Sequence, residues 1–144
     1  MATIQETARA VSSLVPKVIA GVKGNLMFSE DITSQQMITI FSLSQFGKST
    51  ICALAKRMGV SPPTTTGVVD RLQRSGYVER LGDEKDRRIV FVQLTKRGYS
   101  IVEKLKKTIQ KRWMKILVHL TEEERAAYVK ILVKISSALS KELT

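Results

Sequence analysis

One cysteine, Cys52, and one histidine, His119, are all the thiol and imidazole chemistry in a chain of 144 residues. A single thiol rules out an intramolecular disulfide, and one imidazole leaves no His/Cys cluster with the spacing of a zinc site. No metal and no cofactor is therefore called for, and the fold stands on packing. Long apolar runs are missing as well. Stretches such as Ile116-Leu117-Val118 fall far short of the roughly 20 residues that span a bilayer. The amino terminus lacks the basic-then-apolar layout of a signal peptide, so the expected location is the cytoplasm with no membrane partner. There is no Gly-rich phosphate loop and no nucleophile elbow, and Ser44 and Ser61 have no histidine near them in sequence, which argues against an enzyme. Acidic residues are the last shortage. Thirteen Asp and Glu stand against 24 Lys and Arg, a formal charge of +11, and such an excess asks for an acidic partner, nucleic acid or an anionic surface.

What the chain does have is apolar residues, 43% of the total, set at helical spacing. From residue 2 to 23, Ala8, Val11, Leu14, Val15, Val18, Ile19 and Val22 recur at three- and four-residue steps, the stripe of an amphipathic helix. A second helix is expected from Thr33 or Ser34, with Met37, Ile38, Ile40, Phe41 and Leu43, stopping at Gly47. A third runs from Ser49 to Met58 with Ile51, Leu54, Ala55 and Met58 inward, and Gly59 closes it. Ser61-Pro62-Pro63 then reads as an N-cap followed by prolines in a first helical turn. That fourth helix extends to Ser75, with Thr65, Val68, Val69 and Leu72 inward, Thr64, Thr66, Arg71 and Arg74 nearer the outside, and Gly76 as its left-handed stop. Tyr77 to Leu81 and Ile89 to Leu94 are rich in β-branched and aromatic residues and are joined by a charged loop, which predicts a β-hairpin. Two helices follow. The first carries Val102, Leu105, Ile109, Trp113, Ile116 and Leu120, and the second opens at the capping box Thr121 to Glu124 and carries Tyr128, Ile131, Leu132, Ile135 and Leu139. The predicted fold is mainly α with one small β-hairpin. Its segments are an N-terminal helix and connector over 1–32, a winged helix-turn-helix over 33–98 and C-terminal helices over 99–144.

The charge is uneven along these segments. Residues 1–47 hold 3 basic and 3 acidic side chains, residues 48–97 hold 11 and 5, and residues 98–144 hold 10 and 5. Lys104, Lys107, Lys111 and Lys115 repeat at helical spacing, as a solvated helix face does. The middle cluster, with Lys56, Arg57, Arg71, Arg74, Lys85, Arg87 and Arg88, falls instead on a helix pair and a hairpin tip. A helix fits the major groove of duplex DNA and a slim hairpin reaches the neighbouring minor groove, whose concentrated negative potential suits a guanidinium. Ser61, Thr64 and Thr66 are small and polar enough to bond phosphates or bases, and helix N-terminal N–H groups would add to phosphate attraction.

Ala53-Leu54-Ala55-Lys56-Arg57-Met58-Gly59-Val60-Ser61, Val69-Asp70-Arg71-Leu72, Gly76-Tyr77-Val78-Glu79-Arg80, Asp86-Arg87-Arg88 and Leu94-Thr95-Lys96-Arg97-Gly98 together resemble the MarR (multiple-antibiotic-resistance regulator) family of winged helix-turn-helix proteins. The resemblance covers about residues 33 to 98. It implies a homodimer whose first and last helices intertwine about a two-fold axis, a pseudopalindromic operator and, by analogy, repression. Carried over, the DNA-contacting set is Ser61, Pro62, Thr64, Thr65, Thr66, Arg71, Arg74, Lys85, Asp86, Arg87 and Arg88. Asp86 is expected to brace the wing through an arginine, and Arg88 more than Arg87 to probe the minor groove. The sequence departs from the family at Lys85, where arginine is common, and at Thr65, where an apolar residue is usual.

Trp113, Ile116, Leu120, Tyr128, Ile135 and Leu139, with Val11 and Leu14 on the first helix, give the arms more apolar surface than an isolated extension carries, which fits a dimer interface. Many relatives take small phenolic or anionic effectors between arms and winged helix, and Met27, Phe28, Met37, Phe41 and Tyr99 are candidates to line such a cleft. Cys52 reads as a buried structural thiol. The rival to a sequence-specific regulator is a non-specific architectural DNA binder, since charge and a winged helix give affinity without sequence choice.

Overall fold

The structure, a computed structural model, describes residues 1–23 and 32–142. Nine elements follow in order: α1 (Ile4–Lys23), α2 (Ser34–Phe46), β1 (Ser49–Thr50), α3 (Ile51–Met58), α4 (Pro62–Arg74), β2 (Val78–Gly82), β3 (Val90–Leu94), α5 (Lys96–Leu117) and α6 (Glu122–Glu142). Their starts are written in side chains. Thr33 and Gln36 form a reciprocal capping box at α2, and Thr121 and Glu124 do the same at α6. Such caps satisfy N–H groups that the first helical turn leaves unpaired.

The strands form one antiparallel sheet in the order β1-β3-β2, with Val78 opposite Leu94 and Gly82 opposite Val90. The expected hairpin is therefore present, but it has a third strand. Ser49 pairs with Val92 and Thr50 with Phe91, so the segment expected to begin the third helix instead extends the sheet. Two residues are too few to show an alternating pattern, and Thr50 hides the boundary by capping α3 with its side chain.

The core belongs to the middle of the chain. Ile40, Leu54, Val69, Leu72 and Val92 are fully enclosed, and Val102 and Leu105 carry α5 into the same cluster. Met37 lies here too, 8% exposed. The turn from hairpin to α5 is tightly built. The Thr95 hydroxyl accepts from the Gly98 N–H at 3.1 Å and donates to the Gly76 carbonyl at 2.6 Å. Gly76, at φ 77°, takes the left-handed turn that releases α4 into β2. A Cβ on Gly98 would overlap the Tyr77 carbonyl oxygen, so the helix approaches the hairpin root as closely as only glycine permits. This accounts for the Leu-Thr-Lys-Arg-Gly run.

The two ends of the chain differ. No residue of α6 is buried, and none of α1 is. Val11, Leu14, Ile135 and Leu139 are each about half exposed or more. Trp113 and Tyr128 instead meet within the chain, ring centres 6.0 Å apart. With Ile116 and Leu120 they border a cavity of about 410 Å³ beneath α1. Leu120 lies past the end of α5, in the turn to α6. Among the described residues no helix is long and apolar enough to cross a membrane, and no group of three or more His, Cys, Asp or Glu is placed to hold a metal ion.

Candidate nucleic-acid interface

Helix α4 lays Val68, Val69 and Leu72 into the core and leaves Ser61, Pro62, Thr64, Thr66, Arg71 and Arg74 exposed along its outer side. Thr65 departs from the expected contact set. It is fully buried, and its hydroxyl donates to the Ser61 carbonyl at 3.0 Å. A threonine fits there because this bond satisfies the hydroxyl inside an apolar surround. The helix entry also differs from expectation. Pro62 and Pro63 have no N–H, the Thr64 N–H donates to Ser61 Oγ at 3.3 Å, and the Thr65 N–H to the Ser61 carbonyl at 3.0 Å. The backbone donors that usually attract phosphate at a helix start are thus absent or already used. Contact at this end falls to the Ser61 and Thr64 hydroxyls, themselves 2.9 Å apart, and to the faces of the prolines.

At the other margin of this surface, the loop between β2 and β3 is closed by bonds from the Asp83 N–H to the Ile89 carbonyl and from the Ile89 N–H to the Asp86 carbonyl. Asp86 then clasps Arg88. Its Oδ1 accepts from Arg88 Nε at 3.1 Å and from the Arg88 backbone N–H at 3.0 Å, and its Oδ2 accepts from the guanidinium at 3.2 Å. The Arg88 side chain bonds to the Asp86 carboxylate, and with the Arg88 backbone N–H it holds that carboxyl below its ordinary value. Even so, the Arg88 side chain remains 90% exposed. The bracing arginine and the expected groove probe are therefore one residue, held by a planar fork that still faces outward. Lys85 and Arg87 are exposed beside it.

One part of the site escaped the sequence reading. Arg80, on β2, donates to Asp70 Oδ1 at 2.6 Å and also to the Gln73 side chain, both on α4. The pair is partly exposed, so it contributes little to stability, on the order of 0.5 kcal/mol after solvent screening. Its value is geometric, because it fixes the angle between helix and wing. Opposite charges ten residues apart in different elements give no periodic signal.

The candidate cleft residues do not converge. Met37 is core, and its burial follows from the same helical stripe that places Ile40 and Leu43 inward. Tyr99 is half exposed, on a shallow groove with Ser100, Glu103, Lys104 and Lys107. Met27 and Phe28 lie outside the described residues. Phe41 alone lines a cleft of about 550 Å³ between α2 and α6, and Ile135 and Leu139 form part of its opposite wall. Cys52 is exposed rather than buried. Leu54 and Ala55 take the inward side of α3, and a neighbour two positions earlier is turned away from it.

Residues 32–90 match the family model described as the MarR family. An HTH-type transcriptional regulator of Bacillus subtilis, YfiV, is 36% identical over 109 residues, which are 76% of this chain and 68% of YfiV. The HTH-type transcriptional repressor MdtR of the same organism is 30% identical over 78% of this chain and 72% of its own. Among solved structures, Streptococcus pneumoniae FabT in complex with DNA superposes with a TM-score of 0.74 at 30% identity, covering 96% of this chain and 99% of FabT.

Proposed function

The chain belongs to the MarR family of DNA-binding transcriptional regulators, and from that premise we propose that it is a sequence-specific repressor. It binds a pseudopalindromic operator in double-stranded DNA as a homodimer, acts in the cytoplasm and is released by a small-molecule effector. In this reading residues 33–98 contact DNA, while 1–32 and 99–144 join the two copies. The relatives are regulators rather than enzymes, and no catalytic step is invoked.

The observation that carries the reading is the pairing of two surfaces in one rigid unit. The open face of α4, with Thr66, Arg71 and Arg74, is locked by Arg80 to a wing that displays a braced yet exposed Arg88. A recognition helix in the major groove and an arginine in the adjacent minor groove need such a fixed relation. Homodimerisation is supported by the uncovered apolar sides of α1 and α6. Release by an effector is supported by the cleft between α2 and α6, which joins a DNA-binding element to an arm. Repression follows MdtR, a repressor by name.

Selection of random duplexes on the purified protein, with enriched sequences retested against scrambled DNA at one near-physiological salt concentration, tests this. The expected result is a two-fold site with half-sites about one helical turn apart. Salt-sensitive binding without enrichment would replace the reading with an architectural one, and no binding would remove DNA as the partner.

A further inference from the structure

The cleft between α2 and α6 is apolar on most sides, with Ile38, Phe41, Phe46, Leu132 and Leu139 along its walls. At about 550 Å³ it falls inside the range of about 300–1,000 Å³ usual for small-molecule sites. Two polar features open onto these walls. Ser42 presents a buried hydroxyl with no hydrogen-bond partner. Arg57 presents a half-buried guanidinium that lies over the Phe46 ring at 4.3 Å. Among the described residues no carboxylate is in ion-pair contact with Arg57. A cation partly withdrawn from water, without a counter-charge and beside an apolar cleft, is complementary to an anion with an apolar body.

Arg57 also has a second attachment. Its guanidinium donates to Ser49 Oγ at 2.7 Å, and Ser49 in turn donates to the Gly47 carbonyl at 3.0 Å. Ser49 is 4% exposed and stands opposite Val92 in the sheet, so β1 is held between Arg57 and the wing strand β3. One side chain thus touches both the cleft and the root of the wing.

We propose that the cleft takes a small organic monocarboxylate and that Arg57 couples its binding to the wing. The carboxylate pairs with Arg57 and draws the guanidinium from Ser49. Strand β1, two residues long, then loses its outer tie and loosens on β3. This rests on the effector-released reading above and adds the ligand's chemical class and the route by which it acts. An ion pair to carboxylate outcompetes a neutral hydroxyl for the same guanidinium, and a ligand shifts the wing only through such a difference between its two states.

The test uses the full-length protein with octanoate and its uncharged counterpart octanamide as probes. Binding is read by calorimetry, and the amides of residues 49, 50, 91 and 92 by hydrogen exchange. Octanoate is expected to bind at least about tenfold more tightly than octanamide, and at saturation to speed exchange across β1 and β3. Arg57→Gln should abolish the preference for the acid. Ser49→Ala should keep octanoate binding but exchange fast at β1 without it, with no further change on addition. The proposal is overturned by absence of octanoate binding, the result a second copy filling the cleft would give, by equal binding of the amide, by an acid preference that survives Arg57→Gln, or by unchanged exchange at saturation. None of these readouts involves DNA, so they stand or fall separately from the operator selection.

Discussion

The winged helix and the helical arms are built from similar amounts of apolar residue and end in opposite conditions. Between α2 and the first half of α5, Ile40, Leu54, Leu72 and Val92 have essentially no exposure. On α6, Val129, Ile131 and Val133 are each more than half exposed, on more than one side of the helix, and Val11 and Leu14 on α1 are alike. A helix apolar on several faces expects cover on several faces. The middle of the chain supplies its own cover, and the ends leave theirs to another surface. The difference teaches that the winged helix is specified by one chain and the arms by two.

Breaking the self-sufficient half should give the largest effect. Gly98→Ala forces a methyl group against the Tyr77 carbonyl, and α5 must retreat from the hairpin root. We expect a loss of about 3 kcal/mol or more in urea unfolding, and a variant of unchanged stability would show that this approach is not tight. Leu14→Asp attacks the other half. It should leave the spectroscopic signature of the winged helix intact while weakening self-association by roughly 100-fold or more, because a carboxylate would be enclosed without a partner. Sedimentation at graded concentrations checks it, and undiminished association would take α1 out of the interface.

The remaining two predictions sharpen the comparison at the wing, which is exposed as the arms are but for a different purpose. Arg88→Ala should weaken binding to the selected operator by about 1–3 kcal/mol with no change in self-association. Equal affinity would assign the groove to Arg87 or Lys85. The smallest effect concerns pH. The Arg88 side chain and backbone N–H lower the Asp86 carboxyl in the folded wing, so the unfolded chain binds a proton there more readily. The brace is therefore fully present above the ordinary aspartate value of roughly 3.9 and is lost as pH falls through the lowered one. Carbon-detected titration should place Asp86 below the other exposed aspartates, and a midpoint level with theirs would show that the clasp does not form in solution.

How much of this was legible beforehand follows from what kind of signal each feature leaves. Helix boundaries were legible because caps are local: Thr33 with Gln36, and Thr121 with Glu124, state them within four residues. The hairpin was legible through its β-branched strands. Strand β1 was not, because Ser49 and Thr50 earn their pairing from a strand forty residues away. The clasp of Asp70 by Arg80 and the reach of Arg57 to Ser49 are likewise products of topology. Cys52 was misplaced for another reason, since side-chain type was given more weight than position on the helix, and position decides. The absence of free N–H groups at the start of α4 stood in the sequence as two prolines, and its meaning for phosphate emerged once the Ser61 cap was seen to use the next donor.

That cap has one more consequence. Ser61 Oγ and Thr64 Oγ1 share a bond in which either oxygen can be the donor. Rotating both hydroxyls reverses the bond's polarity and moves the outward-pointing hydrogen from one residue to the other, with no movement of heavy atoms. A pair of this kind presents a donor at either of two neighbouring points and lone pairs at the other. It tolerates more than one base edge where a guanidinium would insist on acceptors. The operator position beneath the entry of α4 should accordingly be degenerate, flanked by stricter positions set by the arginines.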